Sequence, residues 1–201
     1  MKDLCNRKAF YWVARRRGLL TVVLFLIALA GAVWGSAQPI KFLGPHPEPA
    51  RWLPWALTFA GVAVRIWGAG NLRKNKEVTR SGAYRLVKHP LYLGNCLIYL
   101  GFFLALGNLA LNLSLFAALL VPHYCCMVRE EQRLFREYPE QFEAWRGTPR
   151  LIPNLPAFRE ALATDCFCWR QAYRNNAYRT LAAPILLPVM NEILLAVRGI
   201  V

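Results

Sequence analysis

Two polar stretches of this 201-residue chain contain the residue types that could do chemistry. The first is RSGAYRLVKHPLY, residues 80–92, which includes Tyr84 and His89, and the second is the acidic pair Glu130-Glu131 about forty residues later. Carboxylates next to aromatic rings suit a cationic group, whereas the backbone amides at the start of a helix suit a carboxylate. Together the two stretches would match a small ligand that carries both charges.

The elements that must position these residues are apolar. The chain is 56% hydrophobic, which is too much for an ordinary soluble domain. The one charge inside its long apolar runs is Arg65, which either snorkels to the interface or contacts an anionic group of the polar site. We therefore predict an all-α, multi-pass transmembrane helical bundle with four spans, followed by cytoplasmic and interfacial C-terminal helices. Each run is close to the ~20 residues that a bilayer core of ~30 Å requires, and the four are Leu19 to Ala37, Leu53 to Ala69, Leu91 to Leu106 and Leu109 to Val128.

The last two predicted spans meet at Gly107-Asn108, so they form an antiparallel hairpin that returns both polar stretches to one side of the membrane. Pro90 suits the first position of the third helix, because proline has no amide hydrogen and already holds a helical φ. His89 then lies at the mouth of that helix, where we expect unpaired backbone amides. If the fourth helix continues through Pro122, its acidic end lies beside His89.

The net charge of +14 arises from 25 basic and 11 acidic residues. Six Lys and Arg residues precede the first span and six lie between the second and third, against only Lys41 and Arg51 between the first and second. The positive-inside rule then predicts that the N-terminus and both polar stretches are cytoplasmic, most simply at a bacterial inner membrane. Because these charges flank spans and form no separate basic domain, we expect the lipid bilayer as a partner and no nucleic acid.

These features predict a single integral membrane domain over residues 1–201. N-terminal scaffold helices occupy 1–59, a core occupies 60–156, and an amphipathic or interfacial tail occupies 157–201. Both polar stretches fall within the core, so we expect the chemistry there.

The tail has two features of its own. From Asp165 onwards aromatic residues alternate with arginines, as in helices that lie in the membrane interface. The apolar stretch 184–197 is short and is broken by Pro188, Asn191 and Glu192, so a re-entrant or surface helix fits it better than a span. The pair Cys166-x-Cys168 leaves two interpretations open, namely apolar packing or a metal or redox site.

An ordered set of short motifs lies within residues 60–155. The motifs are Ser81-Gly82-x-Tyr84, Lys88-His89-Pro90-x-Tyr92-x-Gly94, Glu130-Glu131-x-x-Leu134 with Tyr138 and Phe142, and Arg150-Leu151-Ile152-Pro153. This set resembles the isoprenylcysteine carboxyl methyltransferase and phospholipid N-methyltransferase superfamily of integral membrane enzymes. A His-Pro or Glu-Glu dipeptide alone would carry no weight, but the order and spacing of the whole set are specific.

The resemblance implies S-adenosylmethionine as the cofactor and a lipophilic small-molecule or lipid acceptor that enters from the bilayer. It implies methyl transfer at the cytoplasmic membrane face, with Glu130 and the adjacent Glu131 as catalytic candidates and with no metal. S-adenosylmethionine carries a sulfonium and a carboxylate, so it also meets the requirement that the residues themselves suggest. The implied cofactor-binding residues are Lys76, Glu77, Val78, Thr79, Tyr84, His89, Pro90, Leu91, Tyr92 and Glu130.

Two positions depart from the family pattern. Family members commonly have arginine where this chain has Lys88. The prenylcysteine enzymes have a substrate-binding arginine one helical turn before the first glutamate, where this chain has Cys126. Both departures concern the acceptor more than the cofactor.

Other interpretations stay open for the same residues. His89 is also suited to capping the third helix, the Glu130-Glu131 pair to a solvated helix end, and Tyr92 to the aromatic belt of the interface. A non-catalytic membrane scaffold or assembly protein would keep the fold without the reaction. A membrane reductase with a related core would bind NADPH through a basic pocket, for which the candidates are Lys74, Lys76 and Arg80.

Overall fold

The computed structural model describes residues 8–43, 49–74 and 76–199, and every regular element within these ranges is a helix. The all-α prediction is therefore confirmed for this part of the chain. Three short 3-10 helices lie at Pro49–Arg51, Leu155–Ala157 and Ala177–Ala182. The α-helices are α1 (Lys8–Arg15), α2 (Arg17–Trp34), α3 (Trp52–Asn71), α4 (Ala83–Leu86), α5 (Pro90–Ala105), α6 (Leu109–Glu137), α7 (Pro139–Glu143), α8 (Phe158–Ala163), α9 (Trp169–Arg174) and α10 (Ala183–Val197).

Three helical segments among the described residues are long and apolar enough to cross a membrane: α2, α6, and the stretch Ala177–Val197 that contains α10. The predicted second and third spans form helices, α3 and α5, but neither is one of these three. α5 has only 16 residues, and α3 includes the polar residues Arg65 and Asn71. The multi-pass membrane character is supported, whereas the prediction of four spans is not confirmed.

The helix at the C-terminal end differs from the prediction of a short surface or re-entrant segment. The 3-10 turn adds to α10, which continues through Pro188, so that the helical stretch reaches 21 residues. The polar residues that argued against a span have partners inside the protein. The Asn191 amide donates to the Ala105 carbonyl at 3.1 Å, and the Glu192 carboxylate accepts the backbone N–H of Phe42 at 2.8 Å.

The described chain forms two compact units. The first consists of described residues within 1–59, 96–129 and 182–201, and the second of those within 60–95 and 130–181. The core of the first unit is apolar and contains buried side chains such as those of Phe103, Leu106 and Leu119. The second unit contains both polar stretches that the sequence singles out.

Within the second unit, glycine lets α3 and α5 approach closely. A Cβ atom at Gly94 would lie 2.6 Å from the Gly61 carbonyl oxygen and would also collide with the side chain of Arg65. Gly94 belongs to the motif that led to the family resemblance, and its role in the structure is packing. The close contact fixes the start of α5, where His89 and Tyr92 lie.

The tail is joined to the end of α3 in the same unit. The side-chain amides of Gln171 and Asn175 both donate to the Leu72 carbonyl, at 2.8 and 3.1 Å. The buried amide of Asn71 donates to the Asp165 carboxylate at 2.7 Å and accepts the Cys166 N–H at 3.0 Å. Carbonyls that a helix end leaves without partners are thus satisfied by side chains.

Candidate active site

The segment of residues 149–154 runs beside the chain that leads into α5. The Lys88 N–H donates to the Pro149 carbonyl at 2.7 Å, and the His89 N–H donates to the Arg150 carbonyl at 3.2 Å. This is the Arg-Leu-Ile-Pro motif of the sequence, and the pairing holds its arginine next to the acidic end of α6.

At this point Glu131, His89 and Arg150 meet. The Glu131 carboxylate lies 3.1 Å from His89 Nε2, and Arg150 donates to both of its oxygens, from Nε at 2.7 Å and from Nη2 at 3.0 Å. The side chains of Glu131 and His89 are only 3% and 4% exposed, so the carboxylate depends on these partners for its negative charge. The prediction that the acidic end of a continuous fourth helix reaches His89 is confirmed.

Aromatic rings surround this group. The His89 ring makes edge contacts with Tyr92 and Trp145, at centroid distances of 5.6 and 6.0 Å. The buried Lys88 ammonium lies over the rings of Trp145 and Phe142, at 5.4 and 5.6 Å. Burial lowers the pKa of Lys88, while the nearby Glu131 carboxylate acts in the opposite direction. The ammonium group of Lys88, the residue before His-Pro, is therefore stabilised by cation–π contacts with two aromatic rings.

The backbone amides at the start of α5 have more partners than the sequence predicted. The His89 N–H is bonded to Arg150, and the Tyr92 N–H donates to the His89 carbonyl at 3.0 Å. The expectation that these amides are unpaired was wrong, because residues 149–154 pair with one and a tight first turn satisfies the other. The His89 carbonyl accepts the N–H groups of Tyr92 and Leu93, whereas its ring is bonded to Glu131.

Glu130 differs from its neighbour Glu131 in almost every respect. It is half-buried, and among the described residues no hydrogen bond or ion pair involves its side chain. Burial raises the pKa of the Tyr84 phenol, and the nearby Glu130 carboxylate raises it further. Tyr84 is only 7% exposed and therefore stays a neutral hydroxyl beside a carboxylate.

Arg65 moderates this effect, since its positive charge lowers the pKa of the Tyr84 phenol. Its guanidinium donates to the Leu91 carbonyl at 3.2 Å and makes a short hydrogen bond with the side-chain oxygen of Asn95. These bonds connect α3 to the first turns of α5. The sequence left two interpretations of Arg65, snorkelling to the interface or contact with an anionic group, and neither included a hydrogen bond to Asn95.

The predicted cofactor segment 76–79 is divided between surface and interior. Lys76 is exposed, and Glu77 forms a surface ion pair with Arg73 at 3.2 Å. Val78 is buried with Phe142 and Trp145, the two rings that face Lys88, and its N–H donates to Gln141 at 2.9 Å. Thr79 accepts the Arg73 N–H at 3.0 Å. The structure thus brings Val78 towards the cluster and leaves Lys76 outside it.

The residues that sequence reasoning missed are Trp145, Gln141 and Asn95. None of them has a local pattern that indicates a site, since each takes its role from a contact far along the chain. Arg150 was part of a recognised motif, although its bond to Glu131 was not predicted. Within the described ranges, no group of three or more His, Cys, Asp and Glu residues could hold a metal ion.

Apolar helices of membrane length, with a buried polar cluster at one helix end, define a helical integral membrane protein. Residues 55–141 match the phospholipid methyltransferase family, PEMT. This match confirms the family resemblance of the motifs over that segment, which includes both polar stretches.

Two curated relatives are similar to part of the chain. The cobalt-zinc-cadmium resistance protein CzcN of Cupriavidus metallidurans is 38% identical over 117 residues, which are 53% of each chain. The nickel-cobalt-cadmium resistance protein NccN of Alcaligenes xylosoxydans xylosoxydans is 35% identical over 100 residues, which are 47% of this chain and 46% of that protein. The chain thus spans about half the length of the curated relatives it matches. No solved structure matches it significantly.

Proposed function

We propose that this protein transfers a methyl group from S-adenosylmethionine to a lipophilic or lipid-like acceptor at the cytoplasmic face of a membrane, most simply a bacterial inner membrane. The observation that carries the proposal is the half-buried Glu130 carboxylate, which has no ion-pair partner among the described residues and lies beside Tyr84. Both residues belong to the segment that matches a methyltransferase family.

The residues present fit the positive part of S-adenosylmethionine. When bound, this cofactor supplies a methyl group activated by a sulfonium. A half-buried carboxylate without a cationic partner favours a sulfonium or ammonium group, and the neutral Tyr84 hydroxyl adds a hydrogen-bonding group. The negative part of the ligand finds fewer free amides at the start of α5 than the sequence suggested, since His89 and Tyr92 use theirs within the protein.

The two adjacent glutamates receive different roles in this proposal. Glu130 contacts the ligand, whereas Glu131 positions the site by holding His89 and Arg150. Methyl transfer asks little covalent chemistry of a protein, and orientation of the reactants alone can supply ~7 to 11 kcal/mol of the barrier. A carboxylate acceptor needs no general base. An amine acceptor must lose a proton, for which Glu130 is the better placed of the two because its carboxylate is not already paired.

The membrane setting favours a lipophilic acceptor. Glu130 lies just after the apolar part of α6, a helix long enough to cross a bilayer. The carboxylate is therefore only a short distance along the helix from the residues expected in the hydrocarbon region. An acceptor with an apolar portion would keep that portion in lipid and present its reacting group to the polar cluster. The bilayer is thus both partner and route of entry.

A non-catalytic membrane protein is the second candidate. It is favoured by the names of the two relatives, both resistance proteins for metal ions, which mention no methyl transfer. The NADPH reductase has less support. The side chains of its candidate basic pocket, Lys74, Lys76 and Arg80, are all exposed.

Calorimetric titration of the detergent-purified protein with S-adenosylmethionine, S-adenosylhomocysteine and NADPH tests these functions. Binding of the first two, weakened in Glu130→Gln, is the expected result. Binding of NADPH alone would replace the proposal with the reductase. Absence of binding by all three would leave the non-catalytic membrane protein as the better account.

A further inference from the structure

Cys166 and Cys168 are both exposed, although apolar packing was one of the two interpretations of this pair. The residue between them, Phe167, is half-buried and packs against the protein. The Phe167 ring packs with Ala69 and Ala172, and it lies so close to Gly70 that a Cβ atom there would collide with it. Packing therefore explains Phe167 and leaves both thiols on the surface.

The backbone of this segment is fixed by two hydrogen bonds and is extended at Cys168. Cys168 has φ −136° and ψ 121°. The Cys166 N–H donates to the Asn71 side chain at 3.0 Å, and the Cys168 N–H donates to the Gly70 carbonyl at 3.2 Å. Side chains of an extended chain alternate between two faces, so residues at i and i+2 share one. Because Phe167 packs against α3, Cys166 and Cys168 lie on the outer face, where both are exposed.

We propose that Cys166 and Cys168 form a surface site for a thiophilic metal ion. Thiolate sulfur is a soft ligand that prefers ions such as zinc and copper(I) to hard cations such as magnesium. Each S–H bond breaks as a sulfur–metal bond forms, and both protons pass to the solvent. The described residues offer no cluster of three or more ligands, so water completes the coordination. An open site of this kind would exchange its ion, and it is independent of methyl transfer.

Titration of the reduced, detergent-purified full-length protein with cadmium, followed by the ultraviolet absorption of cadmium–thiolate bonds, tests this site. We expect one cadmium ion per chain. Cys166→Ser and Cys168→Ser should each weaken binding by more than ~100-fold, since loss of even an outer-shell contact costs about 10- to 100-fold. Excess magnesium should not compete.

Cys96→Ser is the matched control, because its thiol is buried and its replacement should leave cadmium binding unchanged. Cys5→Ser serves the same purpose for a cysteine outside the described residues. Circular dichroism checks that each variant is folded, which the exposure of Cys166 and Cys168 leads us to expect. Undiminished binding in the two serine variants, or absence of binding in the wild type, would overturn the proposal.

Discussion

Arg150 binds both oxygens of Glu131, at 2.7 and 3.0 Å, in the bidentate geometry that suits a guanidinium and a carboxylate. The arginine comes from residues 149–154 and the glutamate from α6, so this pair connects α6 to the segment that follows α7. The glutamate is 3% exposed and the arginine 34%. A pair of this kind fixes geometry, and its loss is costly because a buried charge stays behind.

Glu131→Gln should destabilise the protein. Removal of one partner from a buried ion pair costs ~3 to 5 kcal/mol, and we expect the lower part of this range because Arg150 retains access to solvent. Denaturant unfolding in detergent measures the change. Glu143→Gln breaks the exposed pair with Arg146 and should change stability by less than ~1 kcal/mol. Equal effects of the two variants would contradict a structural role for Glu131.

Glu130→Gln should leave the stability of the protein nearly unchanged and weaken cofactor binding. Its carboxylate has no ion-pair partner among the described residues, so unfolding should be nearly unchanged. Affinity for S-adenosylmethionine should fall by about tenfold or more, since a hydrogen bond to a charged group contributes ~1.5 to 3 kcal/mol.

Calorimetry of the folded variant provides the measurement for Glu130. Glu137→Gln is the control on the same helix, since Glu137 is exposed and forms an ion pair with the exposed Arg133, at 3.9 Å. Normal cofactor affinity in Glu130→Gln would show that the sulfonium does not lie at this carboxylate.

Gly94→Ala should destabilise the contact between α3 and α5. The added methyl group would lie 2.6 Å from the Gly61 carbonyl, and overpacking of this kind costs about 1 to 3 kcal/mol. Thermal unfolding of Gly94→Ala and Gly147→Ala provides the comparison, since a Cβ atom at Gly147 would meet nothing within 4 Å. A loss of stability that is equal in both variants would argue against close packing at Gly94.

Local patterns predicted several features of the fold and the candidate site. Periodicity and run length located the helices, and the turn at Gly107-Asn108 with a continuous α6 was enough to predict that Glu131 approaches His89. These inferences worked because neighbouring helices are joined by a short connection, so that topology follows from sequence.

Features that depend on distant contacts were not predictable. The polar residues of α10 argued against a span, yet Glu192 is satisfied by the backbone of residues 42–43, about 150 positions away. The exposure of Cys166 and Cys168 follows from the packing of Phe167 against α3, which no periodicity indicates. The division of labour between Glu130 and Glu131 likewise depends on Arg150. In each case a partner outside the local sequence pattern decides the outcome.

The charge distribution predicts that residues 130–156 are cytoplasmic and that the loop between the first two predicted spans is external. Gly147→Cys and Ala50→Cys test this, because both positions are exposed. Each is introduced into a chain whose Cys5, Cys166 and Cys168 are serine, so that the remaining native thiols are buried. A membrane-impermeant thiol reagent is then added to intact and to permeabilised cells.

Ala50→Cys should be labelled in intact cells, whereas Gly147→Cys should be labelled only after permeabilisation. The physical reason is the difference in flanking charge, with six basic residues before the third predicted span and two in the loop that contains Ala50. Ala50→Cys also controls for expression and for access of the reagent. Labelling of Gly147→Cys in intact cells would place the polar cluster on the outside, away from the cytoplasmic supply of S-adenosylmethionine, and would remove the basis of the proposed reaction.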